Sequence, residues 1–99
     1  MKLITNKYKI KEYKIKERIT LICAISKEEF SANMEITFKP KNLIPELVSV
    51  REYFREFKEE TAESLAYKIK KEFKKALKTN CKVKIFAESP IHSTVEISK

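Results

Sequence analysis

One stretch of the sequence places a thiol where it could react. Cys23 lies in TLICAISKEEF, residues 20–30, near the end of a strand-like run, and the acidic pair Glu28 and Glu29 follows in a predicted turn. A thiolate is a nucleophile and a nearby carboxylate can carry a proton, so this spacing is compatible with covalent chemistry. A free cysteine on a strand face also packs as a small apolar residue, and turn carboxylates are usually solvated. Taken alone, these residues leave both interpretations open.

The remaining residues that could take part in chemistry argue against several kinds of functional site. Cys81 lies in an alternating run and is predicted to be a core residue, and His92 begins the last predicted strand as a surface or interface residue. Two cysteines and one histidine do not have the spacing of metal ligands, so no metal site is predicted. The chain has no glycine, which excludes the phosphate loops of Walker and Rossmann type.

Positive charge is concentrated at the N-terminus. The chain of 99 residues has a net charge of +8, and residues 1–18 hold seven Lys and Arg against Glu12 and Glu17. Tyr8 and Tyr13 lie among these lysines, which is typical of surfaces that contact nucleic acid. The alternative is a solvated edge strand whose lysines prevent aggregation. The chain lacks an apolar run of about 20 residues and a signal-like N-terminus, so we expect a cytoplasmic protein without membrane contact.

Hydrophobic periodicity predicts six elements within one domain of residues 17–99, preceded by a basic segment of residues 1–16 that could add a strand. They are strands at 17–26 and 32–39, helices at 49–57 and 61–78, and strands at 81–86 and 92–98. Ser49 and Glu52 have the spacing of a capping box at the first helix. This order predicts an α+β fold, in which one antiparallel sheet carries both helices on one face. The open sheet edges favour association into a homo-oligomer.

Four segments, in this order, resemble motifs of one family. CAISKEEFSANMEITFKP resembles a stretch that begins Cys-Pro-x-Thr-Gly-x-Pro-Asp and ends Tyr-x-Pro, and ELVSVREYF resembles Glu-Ser-Lys-Ser-x-Lys-x-Tyr. Glu59 and Glu60 stand where a His-Glu pair precedes the second helix, and FAESPIHST resembles Phe-x-x-Arg-Gly-Gly-Ile. Over residues 17–98 the chain thus resembles the QueF family of 7-cyano-7-deazaguanine enzymes, which have the tunnelling fold (T-fold). T-fold subunits oligomerise into barrels and bind purine-like or pterin-like rings at their interfaces.

The resemblance implies roles for particular residues. Cys23 would be the nucleophile that adds to a nitrile. The acid of the family motif aligns with Phe30, which cannot transfer a proton, so Glu29, or less favourably Glu28, would be the proton donor. The resemblance also implies the substrate-binding residues: Glu46 and Leu47 line the site, and Glu60 with Glu59 holds the deazaguanine ring. From position alone, the last two glutamates could instead stabilise the N-terminus of the second helix.

Departures from the family pattern indicate which branch the chain resembles. Val48 replaces the first lysine of the nicotinamide-associated motif, although Arg51 keeps the second charge, and Glu88 or Ser89 stands in place of an arginine. Ser89 and Pro90 replace the paired glycines. A site for the NADPH phosphate would need those cations. The pattern is therefore more similar to the shorter archaeal QueF-like branch.

Enzymes of that branch convert the nitrile of 7-cyano-7-deazaguanine in tRNA to the amidine of archaeosine. The resemblance implies tRNA and ammonia as substrates and no cofactor. Two alternatives remain open at this point: an NADPH-dependent nitrile reductase, and a T-fold module that binds a purine or tRNA without chemistry.

Overall fold

A computed structural model describes residues 1–88 and 94–99 of the chain. It shows an α+β fold with two helices. The elements in chain order are β1 (Leu3–Thr5), β2 (Tyr13–Cys23), β3 (Glu29–Phe38), β4 (Leu43–Pro45), α1 (Leu47–Arg55), β5 (Glu59–Glu60), α2 (Ala62–Leu77), β6 (Cys81–Glu88) and β7 (Thr94–Ser98). The α+β prediction and both predicted helices are confirmed.

The main sheet has five strands in the order β5-β2-β3-β6-β7. The two predicted hairpins are confirmed as antiparallel pairs, β2 with β3 and β6 with β7. The prediction of a purely antiparallel sheet is wrong, because β5 pairs in parallel with the end of β2. The chain between β3 and β5, which includes α1, reverses direction, so β5 runs parallel to β2. A strand of two residues has too few positions for its pairing to be predicted from the sequence. A separate two-stranded sheet joins β1 to β4.

Strand alternation decides which side of the sheet is buried. In β3, Met34, Ile36 and Phe38 are buried with the even-numbered residues before them, and in β6 the odd-numbered residues are buried. Both helices cover this face, and α2 contributes the stripe Leu65, Ile69, Phe73 and Leu77 to the core. The opposite face carries no helix in the described part of the chain. We call the two sides the helix face and the open face.

The helices begin at different kinds of cap. Thr61 caps α2 by accepting a hydrogen bond from the Ser64 amide, and the Ser64 hydroxyl accepts from the Thr61 amide in return. At α1 the predicted capping box of Ser49 and Glu52 is wrong, since the N-cap is Glu46. The longer Glu46 side chain reaches the free amides of Val48 and Ser49, so the helix begins two residues earlier than predicted.

The long hairpin of β2 and β3 gives the molecule an elongated shape, with a longest extent of 45 Å. Strand β2 begins at Tyr13, inside the basic segment, and ends at Cys23, so the predicted strand residues 24–26 form a turn instead. The start of α1 lies beside the first half of β2, and the start of α2 lies at its other end. Residues from the two ends of β2 therefore cannot meet within one chain.

Candidate active site

Cys23 is the last residue of β2, immediately before a tight turn. The Cys23 amide donates to the Glu28 carbonyl (2.8 Å), and the Lys27 amide donates to the Cys23 carbonyl (2.9 Å). Lys27 has a φ of 63°, in the left-handed region where a side chain costs about 1 kcal/mol. Its ammonium pairs with Glu59 on β5, and this ion pair joins the turn to the neighbouring strand. These contacts hold the thiol at the end of the sheet, half-buried.

A cleft of about 270 Å³ opens beside the Cys23 thiol. It lies between the turn after β2, the start of α2 and the end of β6. Its wall has an apolar part and four carboxylates; the lining residues are Cys23, Ile25, Ser26, Glu28, Glu29, Phe30, Thr61, Ala62, Glu63, Ala87 and Glu88. The described residues thus bring a thiol, hydroxyls and carboxylates into one concave site.

The surroundings of Cys23 favour its thiolate. The hydroxyl and backbone amide of Ser26 and the amide of Ile25 lower the pKa of the Cys23 thiol below its ordinary value, because they donate hydrogen bonds to the anion. Burial and the negative charge of Glu63 act in the opposite direction. The net lowering increases the fraction of thiolate near neutral pH, and the thiolate is the nucleophilic form.

Cys81 has the opposite character. It is buried in the core, and its thiol lies 3.8 Å from the Lys70 carbonyl. Burial raises the pKa of Cys81, which keeps this thiol protonated and unreactive. The prediction that Cys81 is a core residue is therefore confirmed.

The predicted ring-binding glutamates lie next to Cys23. In the parallel pairing of β5 with β2, Glu59 is opposite Ile22 and Glu60 is opposite Cys23. Glu60 is buried and belongs to the helix face, whereas Glu59 is exposed and paired with Lys27. Neither side chain lines the cleft itself, although Thr61, the next residue, does.

The Glu60 carboxylate is ion-paired through both of its oxygens. Lys68 on α2 donates a hydrogen bond to Oε2 at 2.9 Å. The Lys68 ammonium also lies 2.5 Å from Oε1, so one cation contacts both oxygens of this carboxylate. The Lys68 side chain is half-exposed, so the pair joins a buried carboxylate to a cation at the surface.

Glu29 and Phe30 are the first residues of β3 and lie on opposite faces. Phe30 is opposite Leu21 and buried, so the position aligned with the family acid contributes an apolar ring to the cleft wall and no carboxylate. Glu29 is opposite Ile22 on the open face and is exposed at the mouth of the cleft. The structure therefore places Glu29 and Cys23 at one cleft but on different sides of the sheet.

Glu46 and Leu47 lie far from Cys23. Both oxygens of Glu46 accept amide hydrogen bonds at the start of α1, at 3.0 Å from Val48 and 2.8 Å from Ser49, and these bonds lower the pKa of Glu46. Leu47 is 63% exposed and lies beside the first half of β2, no closer along that strand than Glu17. From Glu17 to Cys23 the strand spans about 20 Å. One chain does not bring these two residues to the cleft.

Two residues that line the cleft were not predicted from the sequence. Ser26 was predicted to lie within the strand. It lies in the turn after β2 instead, and this turn brings its hydroxyl toward the thiol. Glu63 is the second residue of α2. Its closeness to Glu60 in the sequence was the feature that could have indicated a place in the site. His92, Ser89 and Pro90, and with them the turn of the second hairpin, lie outside the described residues.

Among residues 1–88 and 94–99, no group of three or more His, Cys, Asp or Glu is arranged to hold a metal ion. No helix in the same ranges combines the length and apolarity needed to cross a membrane. No protein-family model matches the chain, and no curated protein matches it either.

Proposed function

We propose that this protein is a T-fold enzyme of the QueF-like type that converts the nitrile of 7-cyano-7-deazaguanine in tRNA to the amidine of archaeosine. The observation that supports this most is the Cys23 thiol, which has a lowered pKa and faces a cleft beside the buried carboxylate Glu60. The two hairpins on either side of two helices are compatible with a T-fold subunit.

The proposed reaction has two steps. In the first, the Cys23 sulfur bonds to the nitrile carbon and a proton reaches the nitrile nitrogen, which gives a covalent thioimidate. In the second, ammonia bonds to the same carbon, the carbon–sulfur bond breaks, and the sulfur recovers its proton. The product is an amidine and the free thiol is regenerated, so no hydride or cofactor is required.

Glu60 accepts hydrogen bonds from the N–H groups of the deazaguanine ring, whereas Glu59 alternates to the open face and supports the site through its ion pair with Lys27. The burial of Glu60 and its position opposite Cys23 support this role. A buried carboxylate strengthens such hydrogen bonds, because little water competes for it.

Basic residues at the far end of the molecule bind the tRNA. Asn6 orders the loop that follows β1, since its side chain bonds the Ile10 amide (2.9 Å) and the carbonyls of Ile10 (3.1 Å) and Lys41 (3.0 Å). This loop exposes 80% of Tyr8, with the Lys7 ammonium 5.5 Å from the ring centroid. Lysines bind phosphates and an exposed aromatic ring stacks on a base, which together suit RNA.

A neighbouring subunit supplies Glu46 and Leu47 to the site, so the enzyme is a homo-oligomer. The exposure of Leu47 and Val48, 63% and 56%, supports an interface at the start of α1. Mixing two inactive variants, Cys23→Ala and Leu47→Asp, should restore activity through mixed oligomers, because some sites then receive both native residues. No recovery after subunit exchange would contradict a shared site.

The decisive experiment looks for the covalent intermediate. The protein is incubated with 7-cyano-7-deazaguanine, free or in tRNA, and its intact mass is measured. We expect an adduct that Cys23→Ala abolishes and Cys81→Ala retains, and that ammonium releases as an amidine. Consumption of NADPH with release of an aminomethyl base would indicate the reductase instead. No adduct with either substrate would reject both enzymes and leave a binding module.

A further inference from the structure

The proposed reaction requires a group that moves a proton between the thiol and the nitrile nitrogen. Four carboxylates line the cleft: Glu28, Glu29, Glu63 and Glu88. A carboxylate that serves this purpose must reach the side on which the Cys23 sulfur lies. The sheet register and the helix positions distinguish the four.

Strand alternation places two of these carboxylates on the open face. Glu29 is opposite Ile22, which lies on the open face. Glu88 on β6 is opposite Ser31, and Ser31 lies on the same face as Glu29 because the two are two residues apart in β3. Side chains alternate along a strand, so Cys23 points to the other side, with Leu21 on the helix face. Glu28 belongs to the turn, where its own amide donates to the Ser26 hydroxyl (3.3 Å).

Glu63 approaches from the helix face. It is the second residue of α2, in the helical turn fixed by the Thr61 cap. Its carboxylate lines the same cleft as Cys23, and its charge raises the pKa of that thiol, which places the two groups within electrostatic reach. Among the ion pairs formed by the described residues, none involves Glu63, so its carboxylate is free to accept a proton.

We propose that Glu63 is the proton-transfer residue of the cleft, in the role that the sequence assigned to Glu29. This inference rests on the proposed function. As the carbon–sulfur bond forms, the Glu63 carboxylate takes the proton of the Cys23 thiol. It then passes that proton to the nitrile nitrogen, which has received the electron pair of a carbon–nitrogen π bond.

The same carboxylate completes the second step. When ammonia adds to the thioimidate carbon, its surplus proton moves to Glu63. The carbon–sulfur bond then breaks and the proton passes to the departing Cys23 sulfur. Glu63 begins and ends each step as a carboxylate, so the proton count balances without a second acid.

The test compares Glu63→Gln with Glu29→Gln, a matched loss of one exposed carboxylate from the same cleft. Adduct formation with 7-cyano-7-deazaguanine is followed by intact mass under single-turnover conditions. Loss of a general acid–base group slows a reaction by about 100-fold or more, so Glu63→Gln should lose that much and Glu29→Gln only a few-fold. The reverse pattern, or equal effects, would overturn the assignment.

A second readout does not depend on the nitrile reaction. The rate of iodoacetamide labelling of Cys23 is measured against pH, with peptide mapping to separate it from Cys81. Glu63→Gln should lower the apparent pKa of Cys23 because it removes a negative charge, whereas Glu29→Gln should leave it unchanged. An unchanged labelling profile in Glu63→Gln would show that the two groups do not interact. If both proteins label as expected but the wild type forms no adduct, the proposed function fails while the electrostatic interaction between Glu63 and Cys23 stands.

Discussion

Replacing Lys68 with methionine removes the cation that pairs with the buried Glu60 carboxylate. Glu60 lies opposite Cys23 in β5, so this pair connects α2 to the strand beside the candidate nucleophile. Methionine keeps much of the side-chain length and has nearly the helix propensity of lysine, so the substitution mainly removes the charge and its hydrogen bond. The free energy of unfolding then reports how much the pair stabilises the site.

The expected loss lies between two limits. An ion pair that is exposed on both sides contributes at most about 1 kcal/mol, whereas breaking a fully buried pair costs about 3 to 5 kcal/mol. The Glu60 side chain is 7% exposed and the Lys68 side chain 56%, so only the carboxylate lacks water as a substitute partner. We therefore expect a loss of about 2 kcal/mol, which corresponds to a fall in Tm of about 10 °C for a domain of this size.

Urea unfolding at fixed protein concentration measures this loss. Lys75→Met provides the control, since Lys75 is exposed on the same helix and should change stability by no more than about 0.5 kcal/mol. In a Glu60→Gln background, Lys68→Met should lose most of its effect, because the buried charge is already gone. Equal losses for Lys68→Met and Lys75→Met, or an unchanged loss in the Glu60→Gln background, would refute the reasoning.

Three further predictions concern single groups. Iodoacetamide at about pH 7.5 should label Cys23 in preference to Cys81, because the Cys23 pKa is lowered whereas Cys81 is buried and its pKa raised; equal labelling by mass spectrometry would contradict this. The Glu46 pKa is lowered from 4.5, so its capping contribution is present above that value and is lost as the pH falls through the folded pKa. Urea unfolding should therefore show Glu46→Ala less stable than wild type at neutral pH, with the difference closing in acid; a pH-independent difference would be the contrary result. Thr61→Ala should lower stability by about 1 kcal/mol in the same assay, and Thr61→Ser, which keeps the capping oxygen, should retain most of it.

Long periodic segments of this chain were predictable, and short ones were not. The helical stripe from Leu65 to Leu77 and the alternation of β3 determine burial over many residues, so their types could be predicted. The two residues of β5 are too few to show a hydrophobic periodicity. They form a strand because they pair with the end of β2. The start of α1 was misplaced because a glutamate is an unusual N-cap, while Ser49 is a common one.

The candidate site was predictable to the same degree. The family resemblance implied that Cys23 and Glu60 belong to one site, and the strand register places them opposite each other. Which carboxylate shares a side with the sulfur depends on where β2 ends, since a shift of one residue would exchange the faces of Cys23 and Ile22. Glu29 was predicted as the proton donor because it stands beside Phe30, the position aligned with the family acid, whereas the proposal for Glu63 depends on the side of the sheet on which each side chain lies.

The two carboxylates near Cys23 on the helix face have environments that suit different tasks. Glu60 is buried and held by Lys68, so its oxygens keep a fixed direction, which a ring anchor requires because hydrogen bonds depend on angle. Glu63 is exposed and lies at the mouth of the cleft, so its carboxylate can rotate between two proton positions. A buried, paired carboxylate would transfer protons poorly, since each transfer would leave Lys68 without a counter-charge. In the proposed mechanism, ring binding belongs to Glu60 at the end of β5, and proton transfer belongs to Glu63 in the first turn of α2, three residues further along the chain.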